Sequence, residues 1–168
     1  GGRYLGNNTG TTSIINRPGA ALTTAGAYIA VPVTLDGVLT NTGTERTYIR
    51  EAALFDTSGP VVDGGFTIQG LTVPGTGSTL AATGDPLHVA DITGGTLTIP
   101  ATGRLSIDPA AHGYLSTTLV NRGTLTAETT NGSGWYFNDG SVDNYGTLNL
   151  GGRYLGNNTG TTSIINRP

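Results

Sequence analysis

The first eighteen residues, GGRYLGNNTGTTSIINRP, return without a substitution as Gly151–Pro168, 150 residues downstream. Chance does not produce such an identity, and two diverged domain ends would not keep it. The duplication predicts a tandem array of 150-residue periods, in which position 168 runs on into the equivalent of Gly19. Residues 1–18 then end a coil continued from the preceding copy. Residues 19–150 are the rest of one repeat, and 151–168 begin the overlap with the next. A terminal overlap appended to a single copy would imply the same continuation. The absence of Met predicts a piece of a longer chain.

A shorter period lies inside the long one. Asn121-Arg-Gly-Thr-Leu-Thr-Ala127 matches Asn144-Tyr-Gly-Thr-Leu-Asn-Leu150. Asn166-Arg-Pro and Asn41-Thr-Gly-Thr-Glu45 are looser copies. Asp63-Gly-Gly-Phe-Thr-Ile68 and Thr93-Gly-Gly-Thr-Leu-Thr-Ile99 keep the shape. Taking Gly19, Gly43, Gly65, Gly95, Gly123 and Gly146 as markers divides the period into six units. The shortest runs from Gly43 to Gly65, and the longest from Gly65 to Gly95. Units of ~22 to ~30 residues, each with two or three short strands between Gly, Asn and Pro turns, predict an all-β parallel β-helix, or β-solenoid. Each unit would be one coil, and the two longest units suggest loops inserted at a corner.

Composition agrees. Gly is 28 and Thr 30 of 168 residues, a mixture that favours strands and tight turns over helices. Charged residues are 11%, too few for charge-driven disorder, and 36% apolar residues suffice for a core. There is no Cys, hence no disulfide or thiol chemistry. All eight basic residues are Arg, and the net charge of −3 has scattered signs, so no nucleic-acid partner is expected. No apolar run reaches membrane-span length, so no membrane insertion is expected either.

Alternation sets the faces. Leu97 and Ile99 point one way, Thr96 and Thr98 the other. Leu125, Leu148 and Leu150 repeat this inward set, and Leu105 with Ile107, Phe66 with Ile68 and Leu71 with Val73 join it. The short polar residue before each marker Gly is expected at a corner, where its side chain bonds the turn backbone. Asn16, Asn41, Asp63, Thr93, Asn121, Asn144 and Asn166 are therefore expected to form a corner ladder.

The Asn-x-Gly-Thr-Leu units resemble those of right-handed β-helical bacterial surface proteins, the autotransporter passengers and filamentous-haemagglutinin-like adhesins. The resemblance covers most of the chain at the level of pattern. It implies an exported, cell-surface or extracellular stalk. The lack of Cys fits that family, whose members usually fold after crossing a membrane. The unbroken 150-residue period departs from an ordinary passenger and implies a longer, more regular array.

Chemistry leaves few marks. Polysaccharide lyases and hydrolases on parallel β-helices cluster carboxylates in one groove. The eleven acids here are spread singly, apart from Asp139 with Asp143 and the run Glu45, Arg46, Arg50, Glu51. That run reads as a solvated, ion-paired face. His88 and His112 are too few for a metal site, and no Gly-x-Ser-x-Gly or phosphate-loop motif is present. Asn138-Asp-Gly-Ser-Val-Asp-Asn144 alternates oxygen ligands as a Ca²⁺ loop does, but lacks the terminal Glu and reads as a turn. No catalytic, metal or cofactor site is assigned, and no cofactor is needed.

Trp135-Tyr-Phe137 is the one aromatic cluster. Trp135 and Tyr136 are glycan-stacking residues if exposed, and core or loop packing otherwise. Thr-x-Thr at 96/98 and 124/126 raises an ice-binding face, which would need the pair on most coils. Asn7-Asn-Thr9 and Asn131-Gly-Ser133 match glycan-acceptor sequons.

The expected function is structural: a repeat of a long extracellular or cell-surface fibre, joined end to end to further copies of itself. The alternative is a secreted surface adhesin meeting glycans or other surface polymers along one face. A polysaccharide lyase or hydrolase is the remote third.

Overall fold

The computed structural model describes residues 3–6, 12–51, 53–55, 59–108, 112–128, 134–151 and 155–168. Among them no helix occurs, and every regular element is a strand. Gly, Asn and Pro interrupt the Thr-, Val- and Leu-rich runs every few residues, which keeps most strands short. The described strands pair in parallel, each with those one turn before and after, and the chain winds as a β-solenoid of about seven turns.

Every level carries three faces. The first level holds β1 (Arg3–Gly6), β2 (Ile14–Asn16) and β3 (Ala21–Thr24), one per face. Above it come β4 (Ala27–Ala30), β5 (Val33–Leu35) and β6 (Val38–Asn41), then β7 (Thr47–Ile49), β8 (Ala53–Phe55) and β9 (Val61–Asp63). In the fourth level β10 (Phe66–Val73) bends across the first two faces, and β11 (Ser78–Thr79) and β12 (Ala81–Thr83) make the third. In the fifth, β13 (Leu87–Ile99) runs round all three. The sixth has β14 (Arg104–Ile107) and β15 (His112–Asn121), the latter spanning two faces. The seventh has β16 (Thr124–Glu128), β17 (Gly134–Asn138) and β18 (Ser141–Asn144). The eighth has β19 (Thr147–Gly151), β20 (Leu155–Thr159) and β21 (Ser163–Asn166).

The register is continuous. On the first face Leu5, Ile29, Ile49, Ile68, Val89, Ile107, Ala127 and Leu150 stack in one column. On the second, Ile14, Val33, Ala53, Leu71, Ile92, Leu115 and Phe137 do the same. These columns point inward and form one core running the length of the molecule, with Phe55, Phe66, Trp135 and Phe137 as its bulkiest members. Fully burying such a side chain is worth about 1.5–3 kcal/mol, and each gains it only by lying on the levels above and below. Of the expected inward set, Leu97, Ile99, Leu105, Ile107, Phe66, Ile68, Leu71, Val73 and Leu125 are buried, whereas on the end rung Leu148 is only partly buried and Leu150 is 53% exposed, because no further level covers them.

The coil count differs from the six units of the marker glycines. The first-face column takes seven steps from Leu5 to Leu150. The longest step is from Leu5 to Ile29 and the shortest from Val89 to Ile107. Gly43, Gly65, Gly123 and Gly146 lie at the corner between third and first faces, whereas Gly19 precedes the third-face strand β3 and Gly95 lies inside β13. The two long units are not coils enlarged by a corner loop. Corners at Gly84 and Gly103 divide that stretch into shorter coils, and neither carries the Asn-x-Gly mark. Within β13 the bend falls at Gly94, whose φ is +104° and whose Cβ, were there one, would run into the Val73 carbonyl of the level below. Only glycine fits that turn.

Candidate functional site

The corner polar residues divide into groups. Asn121, Asn144 and Asn166 stack in register at the end of the third face. The Asn121 amide donates to Asn144 Oδ1 at 2.7 Å, and the Asn144 amide donates to Asn166 Oδ1 at 2.6 Å. Asn121 Oδ1 also accepts from Gly123 N, which ties the ladder to the turn. Beside it, Tyr145 lies between two guanidinium groups, with Arg122 4.8 Å and Arg167 5.8 Å from its ring centre. Asn41 closes the third face of the second level with bonds of its own, donating to Glu45 O and Gly65 O and accepting from Gly26 N.

Three members of the expected ladder lie elsewhere. Thr93 is mid-strand on the second face, paired with Thr72 and Ser116, because β13 turns only after the Gly-Gly mark has begun. Asp63 is exposed in β9, its side chain outward. Asn16 is buried at the second-to-third corner, where it donates to Val38 O at 3.0 Å. Ile99 occupies the ladder position below Asn121.

The aromatic cluster points inward. Trp135 is 1% exposed and packs on Phe137 at 4.8 Å, so its faces are closed to a sugar ring. Tyr136 is outward and half-buried, stacked on Tyr114 with His112 edge-on at 5.2 Å. The Thr pairs lie on different faces, 96/98 on the third and 124/126 on the first, and share no plane. Both sequons, and Asp56, fall outside the described residues.

Two outward groups on the first face escaped the sequence reading. Tyr4, Tyr28 and Tyr48 form a stacked column with ring centres 5.5 and 5.4 Å apart. Tyr48 Oη donates to Gln69 Oε1 at 2.6 Å, and burial followed by the neighbouring Tyr28 raises its pKa above 10.0. The spacing from Tyr4 to Tyr28 to Tyr48 was the available signal, hidden by the wrong coil length. Further along, His88 Nδ1 lies 3.2 Å from Asp108 Oδ2, with Ser106 beside His88 in register. Burial, then the charge of Arg46, lowers the His88 pKa below 6.5 against the pull of Asp108. The contact is therefore a hydrogen bond from a neutral imidazole at neutral pH. His88 Nε2 is buried and makes no hydrogen bond, so the serine–imidazole link that activates a nucleophile is not made.

The charged run also separates. Arg46 pairs across coils with Asp85 at 3.1 Å rather than with its sequence neighbours. Asp143 pairs with Arg167 at 3.0 Å, and Asp139 accepts from Thr161 N. No group of three His, Cys, Asp or Glu able to hold a metal ion occurs among the described residues.

Among the described residues, the strands of the first and last levels are left open on one edge. Strands β1, β2 and β3 pair on one edge only, as do β19, β20 and β21 at the other end. At the first end Leu5 is 50% exposed, and a recess of about 340 Å³ is lined by Leu5, Ile14, Leu22, Ala27 and Ile29. At the other, Leu150 and Leu155 are 53% and 46% exposed. Both ends thus offer unpaired backbone and inward-pattern aliphatics, the two things a further coil would cover.

Comparison with protein-family models, with curated proteins and with solved structures finds no match to this chain.

Proposed function

We propose that this chain is a repeat of a long β-solenoid fibre or stalk, extracellular or on a bacterial cell surface, whose work is mechanical. The observation that carries the reading is the pair of open ends, joined to the identical sequence at each. Among the described residues, the end rungs carry exposed Leu5, Leu150 and Leu155, the side chains that a further coil stacked in register would cover. Stacking a second copy would pair three strands and cover those side chains at once. The bacterial surface setting rests on the resemblance of the Asn-x-Gly-Thr-Leu units alone.

Sedimentation velocity across a concentration series tests this, with negative-stain imaging of the same samples. Association that grows with concentration into rods one solenoid wide is expected. Leu150→Lys, which places a charge on an end rung, should shorten the rods. A chain that stays monomeric at high concentration sinks the proposal.

A further inference from the structure

The two copies of the eighteen-residue segment are wound onto different faces. In the first copy, Arg3–Gly6 pairs with Ala27–Ala30 on the first face, and Ile14–Asn16 pairs with Val33–Leu35 on the second. In the second copy, Leu155 and Gly156, the counterparts of Leu5 and Gly6, pair with Trp135 and Tyr136 on the second face. Ser163–Asn166 pairs with Ser141–Asn144 on the third. Both strands have moved by one face in the same direction.

The inward and outward pattern does not change. Leu5 and Leu155 stand in line with the inward residues Ile29 and Trp135. Ile14 and Ile164 stand in line with Val33 and Val142. From Ile14 on the second face of the first level to Ile164 on the third face of the eighth is seven turns and one face of three. The long period is thus about seven and one-third turns.

We propose that in a continuous array each copy is rotated about the fibre axis by a third of a turn from the one before, so that three copies make one full repeat. The proposal rests on the fibre reading above. All three faces are parallel rungs with aliphatic columns inside, so residues that leave one face meet the same chemistry on the next. The shared Asn serves as a corner in both settings: Asn16 bonds Val38 O, and Asn166 extends the ladder from Asn144. Its consequence is a surface displayed three ways. The column Tyr4, Tyr28, Tyr48 would recur on each side of the fibre in turn, and any lateral partner, another fibre included, would meet it from three directions.

Four periods joined through the shared segment, imaged as rods by cryo-electron microscopy, test this. With about 4.8 Å per turn, a rise of about 35 Å per period with a rotation of about 120°, repeating every ~106 Å, is expected. A rise of a whole number of turns with rotation near zero overturns the offset and leaves the fibre reading intact. Separate globules in place of a rod overturn both. A second measurement uses the absence of Cys. Thr83→Cys in every copy, on an exposed position of the third face, carries gold labels. Labels stepping around the axis support the offset, and a single line along one side overturns it.

Discussion

The side-chain amide of Asn121 donates to the Oδ1 of Asn144 at 2.7 Å, with both residues buried at a coil corner 23 positions apart. Asn144 passes the pattern on to Asn166. Asn144→Ala removes a donor and an acceptor from the middle of this ladder and leaves the Asn121 amide short of one partner. We expect a loss of about 1–3 kcal/mol in a urea titration, against less than about 0.5 kcal/mol for Asn149→Ala on the exposed first face. Equal losses from the two variants would count against the ladder.

Trp135 is the only tryptophan and reports directly on the core. Its native fluorescence should be blue-shifted and resistant to iodide quenching, moving to the red on unfolding. Trp135→Ala should cost about 3–5 kcal/mol by denaturant titration, through the cavity it leaves against Phe137. A red-shifted, quenchable native spectrum would place the ring in water and refute the packing.

Two glycines with positive φ should behave differently. Gly94→Ala drives a methyl into the Val73 carbonyl at the bend of β13, and a fall of more than about 2 kcal/mol is expected. At Gly19, with φ +75°, nothing lies within 4 Å of a built Cβ, so Gly19→Ala should cost only about 1 kcal/mol of backbone strain. Thermal melts of the two variants side by side distinguish them.

The His88 environment gives stability a pH slope. Its folded pKa lies below 6.5, so as pH falls the unfolded chain takes up the proton first. The contribution is full above pH 6.5 and is lost as pH falls through the lowered folded value. The facing charges are Arg46, Asp85 and Asp108, and of these only Arg46 opposes protonation. Asp91 has the opposite sign. Burial raises its pKa above 3.8, so its contribution is present below that value and is lost as pH rises through the raised one. His88→Gln should flatten the fall in stability that sets in as pH drops below 6.5 and leave the carboxylate-driven acidic limb unchanged. A slope unaltered by the substitution would show that His88 titrates as an ordinary exposed histidine.

Much of the fold was legible because it follows from local rules. The Thr-Leu-Thr alternation fixed which side chains turn inward, and Leu97, Leu105 and Leu125 are buried as it demands. The Asn-x-Gly mark and its Asp variant located the corners at 43, 65, 123 and 146. It failed between residues 66 and 107, where β10 and β13 carry the chain round corners without leaving the strand and Pro100 to Gly103 turns without an Asn. The outward groups were lost with the coil count. Tyr48 faces Tyr28, and His88 faces Ser106, only when the levels repeat at the shorter interval that the strand register sets. Arg46 likewise finds Asp85 from 39 positions away, a pairing no sequence neighbourhood displays.

The eighteen-residue duplication separates the two kinds of information. By itself, the sequence determined that the two copies carry one pattern of apolar and polar residues and that its Asn makes a corner. Those outcomes need only the two-residue period of a strand and the hydrogen-bonding habit of a short amide. Which face each strand joins was decided only by the tertiary structure. Three near-equivalent faces accept the same inward aliphatics, so the choice falls to how much chain each preceding level uses at its corners. That length changes from turn to turn, greatest between Leu5 and Ile29 and least between Val89 and Ile107. The face is set by its sum over the whole winding, and no local stretch contains that sum.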